Sequence, residues 1–402
     1  MRISVQKPGN AGQEAPGSPL LSYGFRPFFM LATGYAAVAM ALWIAILFGW
    51  PGPPLAMSPL EWHAHEMFFG FAGAGVAGFL LTAVPNWTGK PPVKGWPLAL
   101  LAVLWLAGRL VMIFGEPLGP APVALVDLLF LVAVIGVAGS GVIAAGNRRN
   151  FPILGMLALL VVANGLSHAA AFGLDADWAD VGRRLAMHVF LLLIALVGGR
   201  IVPAFTGNWL AQTGRAEKPL PFGNVDKATL AAAAAAALAD TAMPGTLPAG
   251  GLLIVAGVLH LVRLGRWRGH LTLGAPIVWV LHLGYLWLAA GSLLLGLSAL
   301  SDAVPRIAGV HGLTAGAIGT MFVAVMSRAS LGHSGRALVA GPATLTVYGL
   351  VTVAALSRTL APWSDAAFAE LLAVSAAAWI VGYGLFFAAY LPVWVGPRVD
   401  GR

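Results

Sequence analysis

Apolar residues run along this chain in long blocks, broken by short clusters of proline, glycine and charged residues. A block of about 20 such residues is what a helix needs to cross a bilayer. On that rule the pattern predicts twelve spanning helices, over 26–49, 64–84, 96–114, 122–145, 151–173, 182–202, 227–243, 247–264, 273–299, 304–326, 337–356 and 366–393. The seventh and eighth carry the weakest signal, because the alanine run 231–237 is only mildly apolar and Asp240 lies near its end. Residues 1–22 are polar and rich in Pro and Gly, have no apolar stretch of the signal-peptide kind, and are expected to form a loose tail. The fold class expected is therefore all-α and polytopic, with 23–402 as a single membrane domain.

Composition strengthens this picture. The 402 residues are 59% apolar and only 9% charged, with a mean hydropathy of +0.85, values outside the range of ordinary soluble domains. A net charge of +8 would suggest a nucleic-acid partner if the cations formed a patch. Instead most of the 23 lysines and arginines fall in alternate connections between spans, the distribution that sets membrane orientation. The expected partner is thus the lipid bilayer and not nucleic acid, with both termini cytoplasmic. The chain has no cysteine, which excludes disulfides, thiolate metal sites and iron–sulfur clusters and leaves His, Met and carboxylates as candidate ligands.

Histidines supply the candidate chemistry. His65, His188 and His311 each stand a few residues inside an apolar, glycine-containing run, and they recur at an equal interval of 123 residues. The runs lead to polar, turn-like segments: Pro85–Gly89, Pro203–Trp209, and Ser327–Arg328 continuing to Gly335. An equal spacing of a costly residue predicts an internal repeat. With twelve spans it divides the chain into three putative four-helix units, 23–146, 147–270 and 271–402, with one of these histidines in the second helix of each. All three then share one depth in the outer half of the bilayer, within roughly 10 Å of the helix end at ~1.5 Å rise per residue. Ionisable residues inside membrane helices usually face a cavity or a partner. A helix-packing imidazole is the alternative to a metal ligand.

His63 and His65 are two apart and point about 200° away from each other on a regular helix. One metal cannot easily take both, so His65 is the expected ligand and His63 a supporting group or an outer-loop residue. Glu66 either orients an imidazole or merely suits a helix N-terminus. His168 lies at the same level as His188 and is a candidate to share a second metal with it. His282 is the weaker candidate, and His260, His270 and His333 read as solvated residues at cytoplasmic helix ends. Arg109 and Asp127, expensive singly and close across a short hairpin, read first as a buried ion pair. The alternative is that Arg109 binds a haem propionate. Pro85 and Pro203 are expected to end helices. Trp62, Trp87, Trp96, Trp178 and Trp209 fall near span boundaries, as interfacial anchors do. No nucleotide loop, nucleophile motif or zinc-protease motif is present.

Several ordered motifs resemble one family. Leu21-Ser22-Tyr23-Gly24-Phe25-Arg26-Pro27-Phe28-Phe29, Trp62-His63-Ala64-His65-Glu66-Met67, Ala83-Val84-Pro85-Asn86-Trp87-Thr88-Gly89 and Gly95-Trp96-Pro97 are similar to the NnrS family of bacterial membrane proteins. Gly199-Arg200 with Pro203-Ala204-Phe205-Thr206-Gly207-Asn208 resembles its central motif, so the likeness covers essentially the whole chain. The resemblance implies a twelve-helix inner-membrane protein carrying haem b and copper, linked to nitric oxide metabolism in denitrification and to defence against nitrosative stress. A more distant similarity is to haem–copper oxidase catalytic subunits, also twelve helices in three groups of four. That likeness implies a haem between His65 and His311 and copper on His188. The seventh predicted helix lacks a histidine and the tenth has only one, so oxygen reduction and proton pumping do not follow.

Three functional readings remain. The first is a haem and copper protein, its metals held by outer-leaflet histidines, that binds, senses or turns over nitric oxide. A neutral, lipid-soluble diatomic needs no polar portal through such a chain. The second is a secondary transporter without metal, which repeats and Gly/Pro-interrupted spans also suit. The third is an assembly factor that handles haem or copper for another enzyme. Whether the chain is catalytic, and its oligomeric state, are not set by the sequence.

Overall fold

The computed structural model describes residues 18–400. Residues 1–17 of the expected tail lie outside the described residues; of its remainder, Pro19–Leu21 form a short 3-10 turn, and the Leu21 carbonyl accepts from the Gly95 N–H at 2.8 Å. No strand occurs among the described residues. Twelve long helices do: α1 Phe25–Leu47, α2 Pro59–Thr88, α3 Trp96–Phe114, α4 Pro120–Ala144, α5 Phe151–Ser167 and α6 Asp177–Gln212. They continue with α7 Asn224–Ala242, α8 Leu247–Gly265, α9 Pro276–Leu297, α10 Arg306–His333, α11 Pro342–Leu360 and α12 Phe368–Val395. Eleven are long and apolar enough to cross a membrane. The exception is α7, where alanines supply little hydropathy and Asp226, Lys227 and Asp240 are charged.

Successive helices pack as antiparallel neighbours, and α1 lies against α12, joining the first helix to the last. Of the most apolar stretches of α2, α6 and α10, 78%, 67% and 72% are buried, so three helices meant by composition for lipid are mostly interior. Phe68 of α2 stacks on Phe190 of α6, and Phe71 of α2 meets Phe322 of α10, so the inner helices touch one another. Small residues permit the close approach of α9 to α10: a Cβ on Gly291 would meet Leu313 at 2.8 Å.

The inner helices share a second property. Each contains a wide π-helical stretch, Glu66–Ala72 in α2, Ile194–Gly198 in α6 and Gly312–Gly319 in α10. π-bulges disrupt the regular ladder and need outside partners. Each stretch has one. Trp105 Nε1 donates to the Gly70 carbonyl at 3.0 Å, Arg263 Nη1 to the Ala195 carbonyl at 2.7 Å, and the Tyr383 hydroxyl to the Gly319 carbonyl at 3.0 Å.

Two sequence expectations change. Pro85 and Pro203 do not end helices but lie inside α2 and α6. In α2 the side chains of Asn86 and Thr88 donate to the carbonyls of Thr82 and Val84, the kind of local repair that lets membrane helices carry proline. The helix instead closes at Gly89, in the left-handed region at φ 69°. Likewise Ser327–Arg328 is helical, and the chain turns at Ser334–Gly335 beyond α10.

Candidate functional site

The inner position of α2 carries His65 and Glu66 into the bundle, where they are 1% and 0% exposed. Four neighbouring helices bring partners to them: Tyr35 on α1, Arg109 on α3, Asp127 on α4, Asn164 on α5, and His168 one residue beyond α5. The His65 Nδ1–H donates to Glu66 Oε1 at 2.9 Å. Its Nε2 faces Asp127 Oδ2 at 3.1 Å and Asn164 Oδ1 at 2.8 Å. His168 Nε2 lies 3.1 Å from the same Asp127 Oδ2, and the two imidazole centroids are 5.5 Å apart.

A guanidinium ties the two carboxylates together. Arg109 donates from Nη1 to Glu66 Oε1 at 2.5 Å and from Nη2 to Asp127 Oδ1, and the Tyr35 hydroxyl donates to Glu66 Oε2. The expected Arg109–Asp127 ion pair is therefore present, widened to include Glu66. With neutral imidazoles the cluster holds two negative charges against one positive, an imbalance that burial makes costly. The place to mend it is next to Nε2 of His65, which faces only acceptors and can be filled by a second ring proton or by a metal cation. One ligand atom each from His65, Asp127 and His168 lies within 4.8 Å of the others.

The remaining candidates sit elsewhere. His168 pairs with His65 through Asp127 and not with His188, because the turn after α5 points it at α4. His188 Nε2 instead meets Asp240 Oδ2 at 3.0 Å, and Arg306 donates to both oxygens of Asp240. His311 Nδ1–H donates to the Ile307 carbonyl at 3.0 Å, leaving Nε2 with no hydrogen-bond partner among the described residues. His63 stacks on Trp43 with ring centroids 4.8 Å apart, and its buried Nδ1 has no partner. Arg358 is within electrostatic reach of both His63 and His311, and its own buried Nη1 is also unpartnered. The three evenly spaced histidines thus belong to three separate networks.

His260 is not the solvated residue expected from its place near a basic helix end. It is 1% exposed, with Nδ1 2.8 Å from the Tyr285 hydroxyl, which also accepts from Arg263 at 2.9 Å. Arg263 pairs with Asp226 at 2.8 Å, so this end of the bundle is held by a buried network as well. His282 contacts Thr206 at 2.8 Å, and His270 is exposed. Sequence reasoning did not single out Tyr35, Asn164 or Arg358. An amide in the middle of α5 was a signal available for Asn164; nothing distinguished Tyr35 from other tyrosines.

Together these features define a polytopic, all-α membrane protein in which an inner helix and its neighbours enclose a histidine–carboxylate cluster. Residues 19–398, nearly the whole chain, match the family model described as NnrS protein. The chain belongs to the NnrS family. No curated protein matched it.

Proposed function

We propose that this chain is an inner-membrane metalloprotein of nitric oxide metabolism or nitrosative-stress defence, with both termini cytoplasmic, that holds copper at His65, Asp127 and His168. The observation that carries the reading is the convergence of two imidazole nitrogens and one carboxylate oxygen in a buried cluster one positive charge short of balance. Imidazole and carboxylate together suit a divalent transition metal. The 3.1 Å separations from Asp127 Oδ2 are near the ~3.3 Å between ligand atoms at tetrahedral bonds of about 2.0 Å. Copper bound there would supply a one-electron centre able to bind a diatomic. The chain's own contribution is orientation: Glu66 takes the Nδ1 proton of His65 and so turns Nε2 toward the ion, while Tyr35 and Arg109 fix Glu66.

Haem b through His65 and His311, with a propionate on Arg109, does not fit. Both ring nitrogens of His65 face side chains of its own cluster, and Arg109 is occupied by two carboxylates. The free donors suited to haem iron and a propionate lie at His311, His63 and Arg358, and this second reading rests on their unpartnered nitrogens. An apolar crevice lined by Phe29, Gly75, Ile194, Phe322 and Met326 runs between α2, α6 and α10 and suits a neutral gas.

Protein purified in mild detergent should contain about one copper per chain, lost in His65→Ala and His168→Ala, with an absorption spectrum that changes on adding nitric oxide. Metal-free, colourless wild-type protein would leave the transporter reading standing. Copper without turnover of nitric oxide would favour the assembly-factor reading.

A further inference from the structure

Beyond its π stretch α6 continues as Gly199-Arg200 to Asn208, a sequence motif that the metal centre leaves unused. Gly199, Arg200, Pro203, Gly207 and Asn208 all line one cavity, as positions three and four apart on one helix face must. Its volume of about 710 Å³ is that of a site for an organic ligand. The facing wall is the connection from Arg215 to Phe222, with Arg149 from the turn before α5.

The lining is unbalanced in charge. Arg149, Arg200, Arg215 and Lys218 surround the cavity against the single carboxylate of Glu217, and none of the four has a carboxylate partner within salt-bridge distance among the described residues. Topology alone would be served by cations spread over the outer surface. Here they ring a concavity, and one is fixed in place: Arg200 Nη1 donates to Asn150 Oδ1 at 2.8 Å and Nη2 to the Arg149 carbonyl at 3.3 Å. Leu196, Pro203 and Phe222 give the same cavity an apolar side.

We propose that this cavity binds a phosphate-bearing anion through Arg149, Arg200, Arg215 and Lys218. Planar guanidinium groups suit phosphate oxygens, and the apolar side suits the remainder of an amphiphile. The phosphate can belong to the headgroup of an anionic phospholipid or to a soluble ion, and the test separates these sources.

The full chain, purified in neutral detergent, is titrated with phosphatidylglycerol, phosphatidylcholine and inorganic phosphate, and bound ligand is counted by native mass spectrometry. One phosphatidylglycerol per chain, with phosphatidylcholine ignored and phosphate unable to compete, assigns the site to a lipid headgroup. Competition by inorganic phosphate at similar concentration assigns it to a soluble phosphate. Arg149→Gln/Arg200→Gln should weaken binding about tenfold or more, as loss of a charged hydrogen bond does. Arg200 also holds Asn150, so Arg215→Gln/Lys218→Gln, on exposed side chains without hydrogen bonds to the fold, is the parallel variant. Wild-type protein that retains neither probe, or that retains both lipids alike, overturns the proposal, as does unchanged binding in both double variants.

Discussion

Glu66 Oε1 lies 2.9 Å from Nδ1 of His65, the residue just before it in the chain. Adjacent side chains on a helix diverge by ~100°, so this contact needs a carboxylate drawn back over the helix surface. Arg109 and Tyr35 do the drawing, from α3 and α1. The imidazole is thus aimed by two other helices, and its other nitrogen is presented to Asp127 and Asn164.

Replacing Glu66 by Gln keeps the shape but removes the charge that accepts the His65 proton. Copper should still bind, with affinity about 10–100-fold lower, as for other partners of metal-ligating histidines. Competition titration with a copper chelator measures this; an unchanged affinity would place the metal elsewhere.

Arg109→Gln leaves Glu66 and Asp127 buried without their shared cation. The expected loss is about 3–5 kcal/mol, the cost of breaking a buried pair from one side. Thermal unfolding in detergent should show it, and adding Asp127→Asn should recover part of the loss. If the double variant is less stable than Arg109→Gln by the full effect of Asp127→Asn in wild type, the two groups are not coupled.

His188→Ala and His168→Ala are predicted to differ. The first disturbs the Asp240–Arg306 network and should leave copper content near that of wild type. The second removes a ligand and should bring copper to background. Elemental analysis of the two variants side by side decides the pairing, and equal copper loss would revive the sharing of a metal by His168 and His188.

Trp105→Phe removes the donor to the Gly70 carbonyl while keeping most of the ring's packing. A buried carbonyl left without its partner should cost about 1–3 kcal/mol. A melting temperature equal to that of wild type would mean that the wide turn of α2 does not depend on the indole.

The helices were legible because a bilayer imposes one rule on every span. The expected third span and α3 cover the same residues, 96–114. Prolines misled because a membrane helix has no water to compete for its backbone, so Pro85 and Pro203 are carried through rather than stopping the helix. At the site, charge was informative: Arg109 and Asp127 were expensive enough to demand each other. Spacing was less so. Equal intervals placed His65, His188 and His311 in helices of the same kind, yet each ring takes partners from its own surroundings. Pairing of His168 with His65 depends on how α4 and α5 lean together, which no linear pattern along either helix records.

The wide turns of α2, α6 and α10 make these helices intolerant of a change in length. Dropping one position between Glu66 and Ala72 would tighten the coil to its ordinary pitch and swing everything before it, His65 included, by ~100° away from Asp127. Natural insertions and deletions in such chains should therefore collect in the connecting loops, and a one-codon loss inside α2 should act as a null allele even though no ligand has been substituted.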